Sequence, residues 1–129
     1  MSVAITGLYA AIFGLAIIVL GVSVSMMRVP KKIEHGDGGD ERLRRVIRTH
    51  GNFAEFVPLA LLVMLILEIE GGSATLLHGL GIVLIVARIL HVVGMIGEQD
   101  IRPARAGGAL LTHLVIGVAA LNVLYAVMV

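Results

Sequence analysis

The sequence predicts an all-α integral membrane protein, a four-transmembrane-helix bundle, and three observations carry that prediction. Hydrophobic residues fill 58% of the 129 positions and mean hydropathy is +1.01, against roughly 45–50% apolar content in soluble domains. Polar connectors divide the chain into four apolar segments, about 3–27, 53–67, 74–97 and 107–129, and a helix is the open-ended structure whose backbone satisfies itself in lipid. All ten Lys and Arg lie in or near the first and third connectors. By the positive-inside rule both connectors face the cytoplasm and both termini the opposite side, which requires an even number of spans.

The first segment is long enough to cross about 30 Å of hydrocarbon. It lacks the basic start of a signal peptide, exceeds the roughly 7–15 residues of a signal's apolar region, and is followed by RVPKK, so it reads as a retained helix. Gly7, Gly14 and Gly21 recur every seven residues along it, a spacing that allows close helix packing. The connector KKIEHGDGGDERLRR carries a glycine-bearing turn. No strand precedes these glycines and GxGxxG spacing is absent, so neither a nucleotide nor a nucleic acid is an expected partner. Arg28, Lys31 and Lys32 suit topology signals and anchors to anionic lipid.

The second segment falls short of the roughly 20 residues a span needs, so a spanning helix must recruit RVIRTHGNFAEF, residues 45–56. Pro58 removes one hydrogen bond from such a helix, a loss membrane helices tolerate. The competing reading starts a short re-entrant helix at Pro58 and leaves 45–56 as a surface loop. In the continuous helix, Arg45, Arg48, Asn52 and Glu55 share an arc of ~80° at about 100° per residue, while His50 points elsewhere. Ionisable groups at membrane depth cost on the order of 3 kcal/mol and normally face a protein interior or wet cavity. An ion pair of Arg48 with Glu55 that merely holds the bundle together is the plainer alternative.

Helix three places Arg88 and His91 one turn apart, with Met95 a turn further, which suggests a shared polar cavity. His78 and His113 lie near span ends and read as ordinary packed residues. No histidine pair or carboxylate–histidine pair has metal-ligand spacing, so no metal is expected. Helix four follows GEQDIRPAR, which carries Arg102 and Arg105. A net charge of +1 implies no global electrostatic partner, and the chain has no cysteine, which excludes disulfides and thiol nucleophiles of its own. Aromatic residues make up only 4%, without tryptophan, so the interfacial aromatic belt is thin.

Arginines suit carboxylates, Glu55 suits an amine, and Asn52 supplies a donor and an acceptor for an amide. That inventory fits a small zwitterionic peptide. A cationic wall also favours the thiolate form of a bound thiol, which is the nucleophile.

ERLRRVIRTHGNFAEFVPLALL closely resembles the second-helix signature of the MAPEG family, membrane-associated proteins in eicosanoid and glutathione metabolism, which reads approximately ERxxRAHxNxxExxP. LLHGLGIVLIVARILHVVGM and RAGGALLTHLVI resemble helices three and four of the family's small bacterial branch. The resemblance covers nearly the whole chain, and implies one domain over 1–129 with helices at about 3–27, 43–68, 74–97 and 105–128 and a cytoplasmic loop at about 28–42. It further implies a homotrimer in the bacterial inner membrane, with both termini periplasmic and glutathione sites between subunits that open to the cytoplasm. In that pattern Arg45, Arg48, Asn52 and Glu55 hold glutathione, with His91, Arg88 and Arg102 around it. Arg105 matches best the arginine that stabilises the thiolate, and Arg102 is its possible substitute. The implied activity is a glutathione-dependent transferase or peroxidase acting on lipophilic electrophiles or lipid hydroperoxides, with lipid-facing grooves for the hydrophobic substrate.

Two departures bear on activity. Met95 stands where several members carry a ligand-contacting tyrosine, and Phe56 replaces a tyrosine after the glutamate. A non-catalytic lipid-binding or scaffold protein of the same fold is therefore an alternative. A small multidrug exporter is a poorer one, because the first helix has no acidic residue.

Overall fold

A computed structural model describes residues 3–97 and 99–129. The first two residues of the expected 1–129 unit, and Glu98 in the third connector, lie outside the described residues. Four helices follow in order: α1 (Ala4–Arg28), α2 (Glu41–Ile69), α3 (Ala74–Ile96) and α4 (Arg102–Met128), with a short 3-10 turn at Val29–Lys31. All four are long and apolar enough to cross a membrane.

Helix α2 runs unbroken through Pro58, whose ring lies on the exposed side, and the loop reading of 45–56 is excluded. Asp40 starts it, its Oδ1 accepting from the Leu43 amide at 2.8 Å, one of the four donors a helix start leaves unpaired. At ~1.5 Å per residue, 29 residues extend about 43 Å, longer than the ~30 Å hydrocarbon layer. The first turns therefore project past the layer, and the ~20 residues that cross it, about 48–67, take in the apolar run 53–67 and part of the polar stretch before it. Ser73 starts α3 in the same way, accepting from Leu76. Helix α4 begins at Arg102, earlier than the expected 105, with Pro103 in its first turn, where a missing N–H costs nothing.

Successive helices run antiparallel. Around the bundle α1 packs on α2, α2 on α4 and α4 on α3; among the described residues α1 touches α3 only lightly and does not reach α4. Phe13, Phe53, Val57, Ala60, Met64, Leu84, Val115 and Ala119 form the central core, and Val24, Leu43 and Val46 a smaller cluster near the first connector. Leu15, Ile18, Ile82, Ile89, Leu110, Leu121 and Leu124 point outward, as a lipid solvent requires.

At the end carrying the termini, Glu68 of α2 receives the amides of Ile5 at 3.0 Å and Thr6 at 2.7 Å. Helix α1 has no capping side chain of its own at Val3, so this carboxylate satisfies its first donors and meets its positive dipole end. Tyr9 is buried at this end, its hydroxyl between Nδ1 and the carbonyl of His78 at 3.1 Å each. Its ring lies where a Gly81 side chain would be.

At the opposite end Asp37 and Asp40 order the long connector. The Arg44 guanidinium, 2.6 Å from Asp37, and then the Gly39 amide hold the Asp37 carboxyl below its ordinary value. Lys31, and then the Leu43 amide, do the same for Asp40. Gly7 and Gly14 face nothing within 4 Å among the described residues, whereas Gly21 lies against His50. The seven-residue glycine spacing therefore serves no continuous contact within one chain.

Candidate functional site

The unbroken α2 carries Arg45, Arg48, Asn52 and Glu55 on one side, as the helical spacing requires. Their exposure follows their angles. Arg45 and Asn52 are half-buried, whereas Arg48 and Glu55, about 60–80° further round from Arg45 at 100° per residue, are exposed. Glu55 is thus not buried within the bundle. Among the described residues, neither Arg48 nor Glu55 belongs to an ion pair, so the anticipated Arg48–Glu55 pair is absent.

Arg88 and His91 face inward from α3, with only 3% and 4% of their surfaces exposed. Arg88 donates from Nη2 to Oδ1 of Asn52 at 2.9 Å, and its guanidinium carbon lies 5.7 Å from the centre of the Phe53 ring, within cation–π range. A guanidinium can only donate, so this bond also settles the Asn52 amide: the oxygen points inward to Arg88 and the NH2 group away from it. Asn52 therefore offers a ligand mainly a donor. Arg88 stands behind the stripe, braced against it.

Arg105 comes to this end by glycine-mediated packing of α4 on α3. A side chain at Gly94 would lie 2.5 Å from the Arg105 nitrogen, and one at Gly108 would lie 2.4 Å from the Ala87 carbonyl and 2.6 Å from the His91 nitrogen. These contacts permit backbone approach that no other residue allows. His91 Nδ1 is 3.2 Å from the Arg105 carbonyl. The Arg105 guanidinium is oriented by two neighbours, Met95 Sδ at 3.9 Å from Nη1 and Asp100 Oδ2 at 3.4 Å from Nη2. Arg102 is exposed at the start of α4, and Arg105 is the one seated against α3.

The structure thus joins the predicted residues into two groups, Asn52 with Arg88 and His91 with Arg105, linked by the one-turn spacing of Arg88 and His91. Arg48 and Glu55 extend the first group onto the surface of the bundle. Sequence reasoning missed Asp100, Gly94 and Gly108. Gly94 and Gly108 carry a readable signal as small residues on facing helices, but Asp100 lies in an irregular connector with no periodicity to place it.

Chemically, the arrangement offers guanidinium groups for carboxylates or a thiolate, an amide donor and a carboxylate, at the end of the bundle where the basic connectors lie. The MAPEG family model matches residues 6–125. The chain is 34% identical, over 90 residues, to proteins named "Inner membrane protein YecN" from two strains of Escherichia coli, covering 70% of this chain and 69% of each relative.

Proposed function

Because the chain belongs to the MAPEG family, we propose that it is a membrane-bound glutathione-dependent transferase or peroxidase. One observation carries the proposal: Arg48 and Glu55 are exposed on a membrane-spanning helix, beside an Asn52 amide that Arg88 holds from behind. Charged groups so placed are costly unless covered by protein or a polar ligand. Covering by neighbouring copies in a homotrimer, with glutathione between them, meets that requirement.

In this reading Arg45 and Arg48 pair with glutathione's carboxylates, Glu55 with its amine, and Asn52 Nδ2 donates to a carbonyl or carboxylate oxygen. His91 fixes the Arg105 backbone, and Arg88 and Arg102 add positive potential. Arg105 favours the thiolate over the thiol and so supplies the nucleophile. With a lipophilic electrophile, the thiolate sulfur forms a bond to carbon and the leaving group departs with its electron pair. With a lipid hydroperoxide, the sulfur attacks the terminal oxygen, the O–O bond breaks and the lipid alkoxide takes a proton to become the alcohol. A second glutathione then converts the sulfenic acid to disulfide and water. The hydrophobic substrate enters from the bilayer.

The basic first and third connectors support a cytoplasmic site with both termini periplasmic, and the relatives' name supports the inner membrane. The test is turnover of a generic aromatic electrophile or cumene hydroperoxide by the purified protein with glutathione. Absence of both activities and of glutathione binding would overturn the proposal. One observation favours non-catalytic lipid binding instead. The Tyr9 hydroxyl is engaged with His78 at the far end, and Met95 is the side chain beside Arg105, so no tyrosine supports the sulfur. Tight lipid binding without thiol consumption would select that reading.

A further inference from the structure

We infer that Asp100 is a positioning residue for Arg105 that tunes how strongly the site takes an anionic sulfur, an inference that rests on the glutathione reading above. The Arg105 main chain is clamped: its nitrogen and Cα press on α3 at Gly94 and its carbonyl meets His91. The guanidinium is the part left to move. Its partners are weak, a thioether sulfur at 3.9 Å and a carboxylate at 3.4 Å with both side chains partly exposed, 40% for Arg105 and 33% for Asp100. That N–O distance exceeds the 2.7–2.9 Å of a strong charge-assisted hydrogen bond.

The pair therefore aims the guanidinium while yielding readily. Among the described residues Asp100 is the sole carboxylate in ion-pair contact with Arg105. An incoming thiolate needs the same cation, so the Asp100 carboxylate competes with it directly and repels it. A sulfur without charge meets no such competition. Asp100 should thus affect the charged form of the ligand's sulfur selectively and leave recognition by Arg48, Asn52 and Glu55 untouched.

The experiment compares two probes on the full-length protein in lipid nanodiscs: glutathione sulfonate, whose sulfur group is permanently anionic, and S-methylglutathione, whose sulfur is neutral. Asp100→Asn keeps the size of the side chain and removes its charge. The expected result is sulfonate binding about 1.5- to fivefold tighter, the range spanned by partly exposed ion pairs, with S-methylglutathione affinity unchanged. Asp100→Ala should move the ratio in the same direction. If the wild type binds both probes and the ratio stays fixed in both variants, or both affinities shift equally, the role of Asp100 is overturned while the glutathione reading stands. If the wild type binds neither probe, both fall.

Discussion

Arg88 of α3 donates through Nη2 to Oδ1 of Asn52 in α2 at 2.9 Å, and its Nε and Nη1 are buried with no partner among the described residues. A charge with one hydrogen-bonding anchor is sensitive to which partner is removed. Asn52→Ala strands the guanidinium and should cost about 2 kcal/mol. Arg88→Met removes the buried charge itself and should cost less, since replacing buried charges with apolar side chains of similar volume is often neutral. Unfolding in detergent micelles checks the order, and a larger loss for Arg88→Met would contradict it.

The α3–α4 interface predicts a contrast between adjacent glycines. Gly108→Ala would place a carbon 2.4 Å from the Ala87 carbonyl, forcing the helices apart at a cost of about 1–3 kcal/mol, as overpacking does. Gly107→Ala meets nothing within 4 Å and should be neutral or slightly stabilising through helix propensity. Thermal unfolding of the two variants measures this, and equal midpoints would contradict the packing.

Much of this was legible beforehand. The deficit of the 53–67 run required α2 to reach upstream, and spacing alone put Arg45, Arg48, Asn52 and Glu55 on one side. The exposure difference between Asn52 and Glu55 also follows from angle, once the direction of the neighbouring helices is known. Contacts between ends of different helices were not legible. Glu68 capping α1 and Tyr9 on Gly81 depend on how antiparallel helices align, and Asp100 beside Arg105 on the path of an irregular connector, neither of which local periodicity encodes. Tyr9 shows the limit well: nothing near it in sequence announces that Gly81, more than a helix away, opens a buried place for its ring.

Glu68 makes a prediction at the far end of the bundle. Removing its carboxylate in Glu68→Ala exposes the Ile5 and Thr6 amides, so their hydrogen exchange should accelerate at least tenfold, with about 1–2 kcal/mol lost from stability. Glu70→Ala, at an exposed position just beyond α2, should change neither. Unaltered exchange at Ile5 and Thr6 would rule out the cap.

The first connector should loosen in acid. Asp37 and Asp40 have folded values below their ordinary one, about 3.9 for an unfolded aspartate. The order they confer is therefore complete above that value and is lost as pH falls through the lowered folded values. Limited proteolysis of residues 32–40 with an acid-active protease should rise below about pH 4. The double substitution Asp37→Asn with Asp40→Asn should show high cleavage at pH 6 already and little further change in acid. A wild-type rise centred near neutral pH would point to other groups.

Glutathione binding to the wild type, Arg48→Ala and Glu55→Ala, measured by calorimetry in nanodiscs, tests the central claim most directly. Loss of one buried charged partner typically costs several kcal/mol, so the account predicts wild-type binding and at least a tenfold weaker affinity in each variant, with the fold preserved. Unchanged affinity in both variants would contradict it.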